Sequence, residues 1–177
     1  MADKTWLNLL YERKSVRHFK PGQIKDDDLK ELVKAGMAAP SARNLQAWEF
    51  LIITEDKMLK SLAAELPYAK MLKDVPAAVV VLGDTSIASP SGQSYWLQDT
   101  CAATENILLA AEALGLGAVW TALYPYEERM QPVVKACNIP EHLIPLNIIP
   151  VGIPEGTDKP KDKWNPAKLH WNKWGKK

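Results

Sequence analysis

A cluster of cationic and hydroxyl side chains lies near the start of the chain, at residues 13–19 (RKSVRHF). The planar guanidinium of Arg13 can bind a phosphate through two hydrogen bonds, and the Lys14 ammonium and the Ser15 hydroxyl can add further ones. A short basic cluster taken alone is more often solvated surface, and Arg17 has the alternative role of a structural ion-pair partner. The residue types nevertheless indicate a phosphate-binding segment.

A second polar segment follows about two dozen residues later, at residues 39–50 (APSARNLQAWEF). It is a loop that Pro40 constrains on one side and a β-rich stretch constrains on the other. Its polar side chains are Ser41, Asn44 and Gln46. Asn and Gln amides each offer a donor and an acceptor, which matches the alternating groups at the edge of a flavin or pterin ring. The alternative is a loop whose amides bond to the local backbone.

The C-terminal stretch is cationic and rich in tryptophan. From Glu155 onward, seven lysines against three acidic residues give a net charge of +4, although the whole chain carries only +1. Lys159 and Lys161 offer a second phosphate contact from this distant segment, the alternative being a solvated tail. Large aromatic side chains are costly to expose, so we expect the tail to dock on its own chain or on a second copy. The aromatic residues concerned are Trp164, Trp171 and Trp174.

Several function classes lack their characteristic residues in this sequence. The histidines are isolated, which argues against metal-dependent hydrolysis, and no Rossmann or P-loop glycine pattern is present. Cys101 and Cys137 have no CxxC or metal-ligand spacing, so a role as small buried side chains is favoured. Because the net charge is +1 and no long apolar run or signal peptide is visible, we expect a cytoplasmic protein without nucleic-acid or membrane partners.

The elements that must position these segments follow from the apolar periodicity. Predicted helices cover residues 5–12, 26–39, 56–66, 94–114 and 127–137, and predicted strands cover residues 48–54, 77–82, 118–122 and 144–152. The uniformly apolar run at 77–82 is typical of a strand buried on both faces. Prolines in the last strand favour an edge or a strand end. The helix at 94–114 is apolar on most sides, so its own domain or a second copy must enclose it.

Four stretches of the sequence resemble motifs of the nitroreductase family of flavin enzymes. Residues 13–17 (RKSVR) resemble its RRSVR element, and residues 39–48 (APSARNLQAW) are similar to its APSxxNxQPW element. Residues 94–120 resemble its long central helix followed by a GLGxxW strand. Residues 150–152, with the KPK turn at 159–161, resemble its closing strand and PKPR-like turn. The motifs stand in the right order over nearly the whole chain, so the resemblance is specific.

The resemblance implies an α+β fold of three layers, in which a central, mostly antiparallel sheet is flanked by helices. It implies one FMN-binding domain at residues 1–154 and a C-terminal extension at residues 155–177 that wraps the partner subunit of a homodimer. Family members use NADH or NADPH to reduce flat small-molecule acceptors in a ping-pong cycle through the bound flavin.

The resemblance also implies three groups of flavin-binding residues. Those at the phosphate and ribityl chain are Arg13, Lys14, Ser15 and Lys161. Those in the polar loop, reaching the flavin from the other subunit, are Pro40, Ser41 and Asn44, with Gln46 in the same loop. Those against the isoalloxazine ring, with a backbone N–H near its N5, are Trp120, Thr121 and Ala122. No general acid or base is assigned, because the flavin supplies the redox chemistry.

Four positions depart from the family motifs and leave alternative functions open. Lys14 and Lys161 replace arginines, Ala47 replaces a common proline, and Ala122 stands where some relatives have glutamate. One alternative is a flavin enzyme of the same fold with different chemistry, such as dehalogenation or flavin processing. The other is a non-catalytic dimeric binding or structural protein.

Overall fold

The computed structural model describes residues 5–175, in which helices and strands alternate. The helices are α1 (Thr5–Glu12), α2 (Asp26–Met37), α3 (Asp56–Glu65), α4 (Trp96–Ala113) and α5 (Glu127–Cys137). The strands are β1 (Phe19–Lys20), β2 (Trp48–Ile53), β3 (Ala77–Asp84), β4 (Gly117–Ala118), β5 (Thr121–Ala122) and β6 (Leu143–Pro154). The helix predictions are confirmed to within two residues at each end. Over this part of the chain, no helix is long and apolar enough to cross a membrane.

All six strands form one antiparallel sheet whose order is β1-β6-β3-β2. Strands β4 and β5 also pair with β6, on the side opposite β3. Strand β6 is therefore central, and the expectation that its prolines place it at an edge is wrong. Pro145 is tolerated because it pairs with Leu82 at a register shift between Val81 and Leu82, where the ladder is already irregular.

A second proline of β6 explains why the predicted strand at 118–122 is split into β4 and β5. Both short strands share one register on β6, in which Val119 faces Pro150. Leu123 N–H donates to Leu146 O at 3.0 Å, and hydrogen-bonded pairs recur at every second residue of an antiparallel ladder. Val119 and Pro150 therefore meet at a hydrogen-bonding position, where proline has no N–H to donate.

Alternate residues of β3 build a core on each face of the sheet. Ala78, Val80 and Leu82 pack with α3 and α5 on one face. On the other face, the residues that pack with α2 and α4 are Ala77, Val79 and Val81. Burying one such Val or Leu side chain contributes about 1.5–3 kcal/mol. The arrangement confirms a three-layer α+β fold and a β3 strand buried on both faces.

Some apolar side chains expected inside the protein are exposed. Met37, an apolar residue at the last position of α2, is 54% exposed. Trp164, Trp171 and Trp174 are 72%, 61% and 90% exposed, so docking of these three side chains on their own chain is wrong. Docking on a second copy stays a prediction.

Candidate functional site

A basic cleft of about 590 Å³ lies between the segment that follows α1 and the segment that follows β6. The first segment contributes Arg13, Lys14, Ser15 and Arg17 to the lining, and the second contributes residues 157–161 and Lys163. Six cationic side chains face one carboxylate, Asp158, in this lining. The resulting positive potential, together with Arg and Lys donors, is suited to a phosphate group.

Strand pairing brings the two walls of the basic cleft together. Residues of β1 pair with the end of β6, and Glu155 N–H then donates to His18 O at 3.0 Å. Beyond this ladder, Asp158 accepts hydrogen bonds from the backbone N–H groups of Arg17 and His18 at 3.0 and 3.2 Å. The His18 ring nitrogen Nδ1 lies 3.3 Å from the same carboxylate. Asp158 therefore ties the C-terminal wall to the N-terminal one.

The charge state of Asp158 follows from these contacts. Partial burial raises the pKa of this carboxyl, but the backbone N–H groups of Arg17 and His18 and the His18 side chain lower it by more. Its pKa consequently lies below the ordinary value of 3.8. The carboxylate stays ionised at neutral pH and serves as a fixed acceptor within a cationic surface.

Helix α4 orients the first two cations of the cleft. Arg13 Nε lies 3.1 Å from Glu105 Oε1, and Lys14 Nζ lies 2.5 Å from Glu112 Oε1. The two glutamates are seven residues apart, which is about two helical turns along α4. These pairs hold the two side chains in place, while Arg17 forms no ion pair among the described residues and lies exposed at the cleft.

The backbone of residues 13–17 is fixed against β4. Val16 is buried, and its N–H donates to Ala118 O at 3.0 Å. The approach is close, because a Cβ added to Gly117 meets the Val16 side chain at 2.7 Å. Residues 13–17 are thus bonded to Ala118, which is two positions before Trp120. Trp120, Thr121 and Ala122 are the residues expected at the ring of a flavin.

Trp120 lies in the break between β4 and β5, and Thr121 and Ala122 form β5. The Trp120 side chain packs against the core cluster shared by α2 and α4, and Thr121 is 6% exposed. Ala122 is half-buried and pairs with Asn147 of β6. Their side chains are thus buried or half-buried in packing against the sheet and the helices. The replacement of glutamate by Ala122 fits a role carried by the main chain.

The polar loop, residues 40–46, lies apart from the lining of the basic cleft. Ser41 Oγ accepts the Gln46 N–H at 3.1 Å, and Gln46 Nε2 donates to Asn44 Oδ1 at 3.1 Å. Pro40, Asn44 and Gln46 are exposed. The local bonds expected for such a loop are therefore present, and its exposed amides face outward from the single chain.

The polar loop has an unusual backbone conformation. Arg43, Asn44 and Gln46 all have φ values of 54–55°, in the left-handed region that non-glycine residues rarely adopt. Each such residue costs on the order of 1 kcal/mol, somewhat less for asparagine. The loop also has an anchor outside itself, since Ala42 N–H donates to Asp99 Oδ1 at 2.9 Å.

The structure brings together only part of the set implied by the sequence. Arg13, Lys14, Ser15 and Lys161 share one cleft, whereas Pro40, Ser41, Asn44 and Gln46 form a separate loop in the single chain. Sequence reasoning missed Lys163, Asp158 and Asp99. Lys163 continues the alternating lysines of the KPK turn and was detectable on that ground, but no sequence pattern distinguishes the two aspartates. Within residues 5–175, no group of three or more His, Cys, Asp or Glu is arranged to hold a metal ion.

Comparisons with known proteins identify the family and the fold of the chain. The model of the nitroreductase family matches residues 10–153. An Archaeoglobus fulgidus protein named "Putative NADH dehydrogenase/NAD(P)H nitroreductase" is 39% identical over 171 residues, which are 95% of this chain and 98% of that protein. Iodotyrosine deiodinase of Thermotoga neapolitana is 32% identical, over 91% of this chain and 93% of its own.

Two solved structures are similar over almost their whole length. A Bacteroides thetaiotaomicron structure with the same name as the Archaeoglobus protein has a TM-score of 0.92 and 42% identity, and covers 98% of this chain and 100% of its own. A Desulfovibrio desulfuricans structure, solved in complex with FMN, has a TM-score of 0.81 and 25% identity, with 98% and 99% of the two chains covered.

Proposed function

Because this chain belongs to the nitroreductase family, we propose that it is an FMN-dependent oxidoreductase that uses NADH or NADPH to reduce nitroaromatic, quinone or similar flat acceptors. The observation that carries the proposal is the basic cleft, in which Arg13 and Lys161 meet although 147 intervening residues separate them in the sequence. A similar protein from D. desulfuricans is known in complex with FMN.

The residues of the basic cleft fit the phosphate of FMN. A phosphate monoester carries about −1.5 to −2 charges at pH 7 and offers three acceptor oxygens. Arg13 and Lys14 are already paired with α4 glutamates, so they contribute ordered donors with partly offset charge. The excess positive charge comes from the rest of the lining: Arg17, Lys159, Lys161 and Lys163. Ser15 adds a neutral hydroxyl donor.

The ring of FMN needs groups from outside the cleft, and we propose that a homodimer supplies them. Residues 120–122 of the same chain directly follow β4, to which the Arg13 segment is bonded through Val16 N–H. The polar loop belongs to the partner subunit, whose Ser41, Asn44 and Gln46 amide and hydroxyl groups bind the ring edge. The exposed tryptophans of residues 155–177 are then covered by the partner.

FMN, when bound, supplies the redox chemistry by taking electrons from the nicotinamide and passing them to the acceptor. The protein's own residues would anchor the cofactor, orient it and shield it from solvent. The basic cleft fixes the phosphate end, the backbone at 120–122 provides a donor near the ring, and the polar loop fixes the ring edge. With FMN bound, reductant and acceptor would react in turn in a ping-pong cycle, and no side chain is assigned as a general acid or base.

A second candidate function is reductive dehalogenation, which the 32% identity to iodotyrosine deiodinase favours. It uses the same cofactor site and differs in the acceptor. Nothing in the lining of the basic cleft separates the two functions, because the cleft binds the phosphate end rather than the reacting ring.

The test is steady-state turnover with purified protein and added FMN. We expect oxidation of NADH or NADPH that depends on a nitroaromatic or quinone acceptor, with parallel double-reciprocal lines and flavin absorbance preserved over many turnovers. Halide release from a halogenated phenol without nitroaromatic reduction would select dehalogenation. Loss of flavin absorbance during turnover would indicate flavin processing, and FMN binding without any turnover would indicate a binding protein.

A further inference from the structure

We infer that Asp99 is a positioning residue, which holds the polar loop in the conformation that presents Ser41, Asn44 and Gln46 to the flavin. The inference rests on the proposed function for the role of the loop. Asp99 lies in the first turn of α4, far from the loop in sequence. It belongs to the long central helix and does not line the basic cleft.

Asp99 is a carboxylate in an unfavourable place. The residue is 3% exposed, Oδ1 accepts the Ala42 N–H at 2.9 Å, and the other oxygen, Oδ2, has no hydrogen-bond partner in the part of the chain described. Burial of a carboxylate with one unsatisfied oxygen is destabilising. Since a Leu or Ala here avoids that cost, the contribution of Asp99 lies in the loop geometry that its one bond imposes.

The hydrogen bond from Ala42 N–H to Asp99 is made at the strained part of the loop. Ala42 directly precedes Arg43 and Asn44, the first two left-handed residues, and Gln46 is the third. The bonds within the loop, from Gln46 to Ser41 and to Asn44, close it on itself without fixing it to the domain. The Asp99 bond is charge-assisted, reaches across 57 residues, and fixes the strained turn to the rigid α4 helix.

The neighbouring residue Thr100 provides a matched control. Thr100 is fully buried in the same helical turn, but its hydroxyl donates to Trp96 O and Leu97 O within α4 and has no hydrogen bond to the loop among the described residues. Removing the hydroxyl in Thr100→Ala disturbs the same buried region without releasing the loop. Asp99→Asn is the conservative variant, because its amide oxygen can still accept the Ala42 N–H.

The experiment compares wild type, Asp99→Ala, Asp99→Asn and Thr100→Ala by two measurements. The first is the rate at which trypsin cleaves the apoprotein after Arg43, quantified by mass spectrometry, which reports loop order without flavin. The second is the Kd for FMN by fluorescence titration. We expect Asp99→Ala to speed cleavage after Arg43 at least fivefold and to raise the Kd at least tenfold. Asp99→Asn and Thr100→Ala stay within threefold of wild type in both.

The two measurements separate the possible failures. Unchanged cleavage after Arg43 in Asp99→Ala overturns the inference, as does an equal loss in Thr100→Ala, which indicates general destabilisation. Faster cleavage with an unchanged Kd also overturns it, since the loop then does not act on the flavin. A wild-type protein that does not bind FMN contradicts the proposed function itself, and this result is visible before any variant is made.

Discussion

The basic cleft and the polar loop obtain their geometry in opposite ways. The cleft joins two segments from the ends of the chain, which strand pairing and Asp158 bring together, and its residues need no unusual backbone. The polar loop is continuous in sequence, but it holds three non-glycine residues in left-handed conformations and depends on Asp99. The cleft is assembled by contacts between distant segments, whereas the loop takes its shape from a strained local backbone that Asp99 holds in place.

The difference follows from what each site binds under the proposed function. A phosphate is nearly symmetric and strongly charged, so several flexible cations suffice if they converge. The edge of a heterocycle requires donors and acceptors in fixed directions, which a constrained backbone supplies better than mobile side chains. Charge changes are therefore expected to affect the cleft most, and conformational changes the loop.

The largest expected effect is at Arg13. Arg13 pairs with Glu105 through Nε, which offsets part of its charge but leaves the two Nη groups as phosphate donors. Arg13→Ala removes this charge-assisted, two-pronged donor, so FMN binding is expected to weaken by about 2 kcal/mol, or roughly thirtyfold. Isothermal titration calorimetry with FMN measures this loss of affinity. The control is Glu105→Gln, which removes the carboxylate that pairs with Arg13 but leaves the guanidinium. Unchanged FMN affinity in Arg13→Ala contradicts the phosphate-binding role.

A smaller effect separates two lysines of the same cleft. Lys161 has no carboxylate partner among the described residues, whereas Lys14 is paired with Glu112 at 2.5 Å. We expect Lys161→Ala to weaken FMN binding by about tenfold and Lys14→Ala by about threefold, because the charge of Lys14 is partly offset. The same titrations, repeated at high salt, measure both. An equal loss in the two variants would show that the ion pair does not reduce the contribution of Lys14.

Asp158, which joins the two walls of the cleft, predicts that the stability of the protein depends on pH. A carboxyl whose pKa is lowered by folding stabilises the protein above its unfolded pKa, and this contribution is lost as pH falls through the lowered folded value. We expect Asp158→Asn to unfold about 2 °C below wild type at pH 7. The difference between their melting temperatures is expected to narrow below about pH 4.

The control for this pH effect is Asp162→Asn, which changes a carboxylate of the same segment. Among the described residues, this carboxylate accepts a hydrogen bond only from the nearby Trp164 N–H. The melting temperature of Asp162→Asn is expected to stay near that of wild type across the pH range. A constant gap between Asp158→Asn and wild type from pH 7 to pH 3 would show that the Asp158 charge does not contribute.

The smallest expected effect is at Arg43 in the polar loop. Glycine adopts the left-handed region without the Cβ penalty but loses more entropy on folding, so Arg43→Gly is expected to stabilise the protein by about 0.5 kcal/mol. Urea unfolding of the apoprotein measures the change, with Arg43→Ala as the control that keeps the strain. Destabilisation by Arg43→Gly would show that the loop is not strained there.

Sequence patterns anticipate the elements of this fold better than their contacts. The apolar run at 77–82 identifies the central strand β3, because burial on both faces requires such a run. The same reasoning fails for β6, whose prolines lie at a register shift and opposite the break between β4 and β5. Such irregularities depend on the neighbouring strands, and one strand's sequence does not reveal them.

The candidate site shows the same limit. Residue types point to Arg13 and Lys161 as candidate phosphate donors, and the structure places both in the lining of one cleft. Asp158 and Asp99 were not predicted, because their roles depend on which backbone N–H groups the fold brings to them. The C-terminal tryptophans, for which the sequence predicts docking, are exposed in the single chain, and docking on a second copy stays a prediction.

The central claim is that the basic cleft binds the phosphate of FMN, and the most direct measurement is the flavin content of the purified protein. An absorbance spectrum, followed by mass spectrometry of the material released by heat denaturation, gives both its amount and its identity. The account predicts released FMN at about one per subunit. Protein that remains colourless after incubation with excess FMN would contradict it.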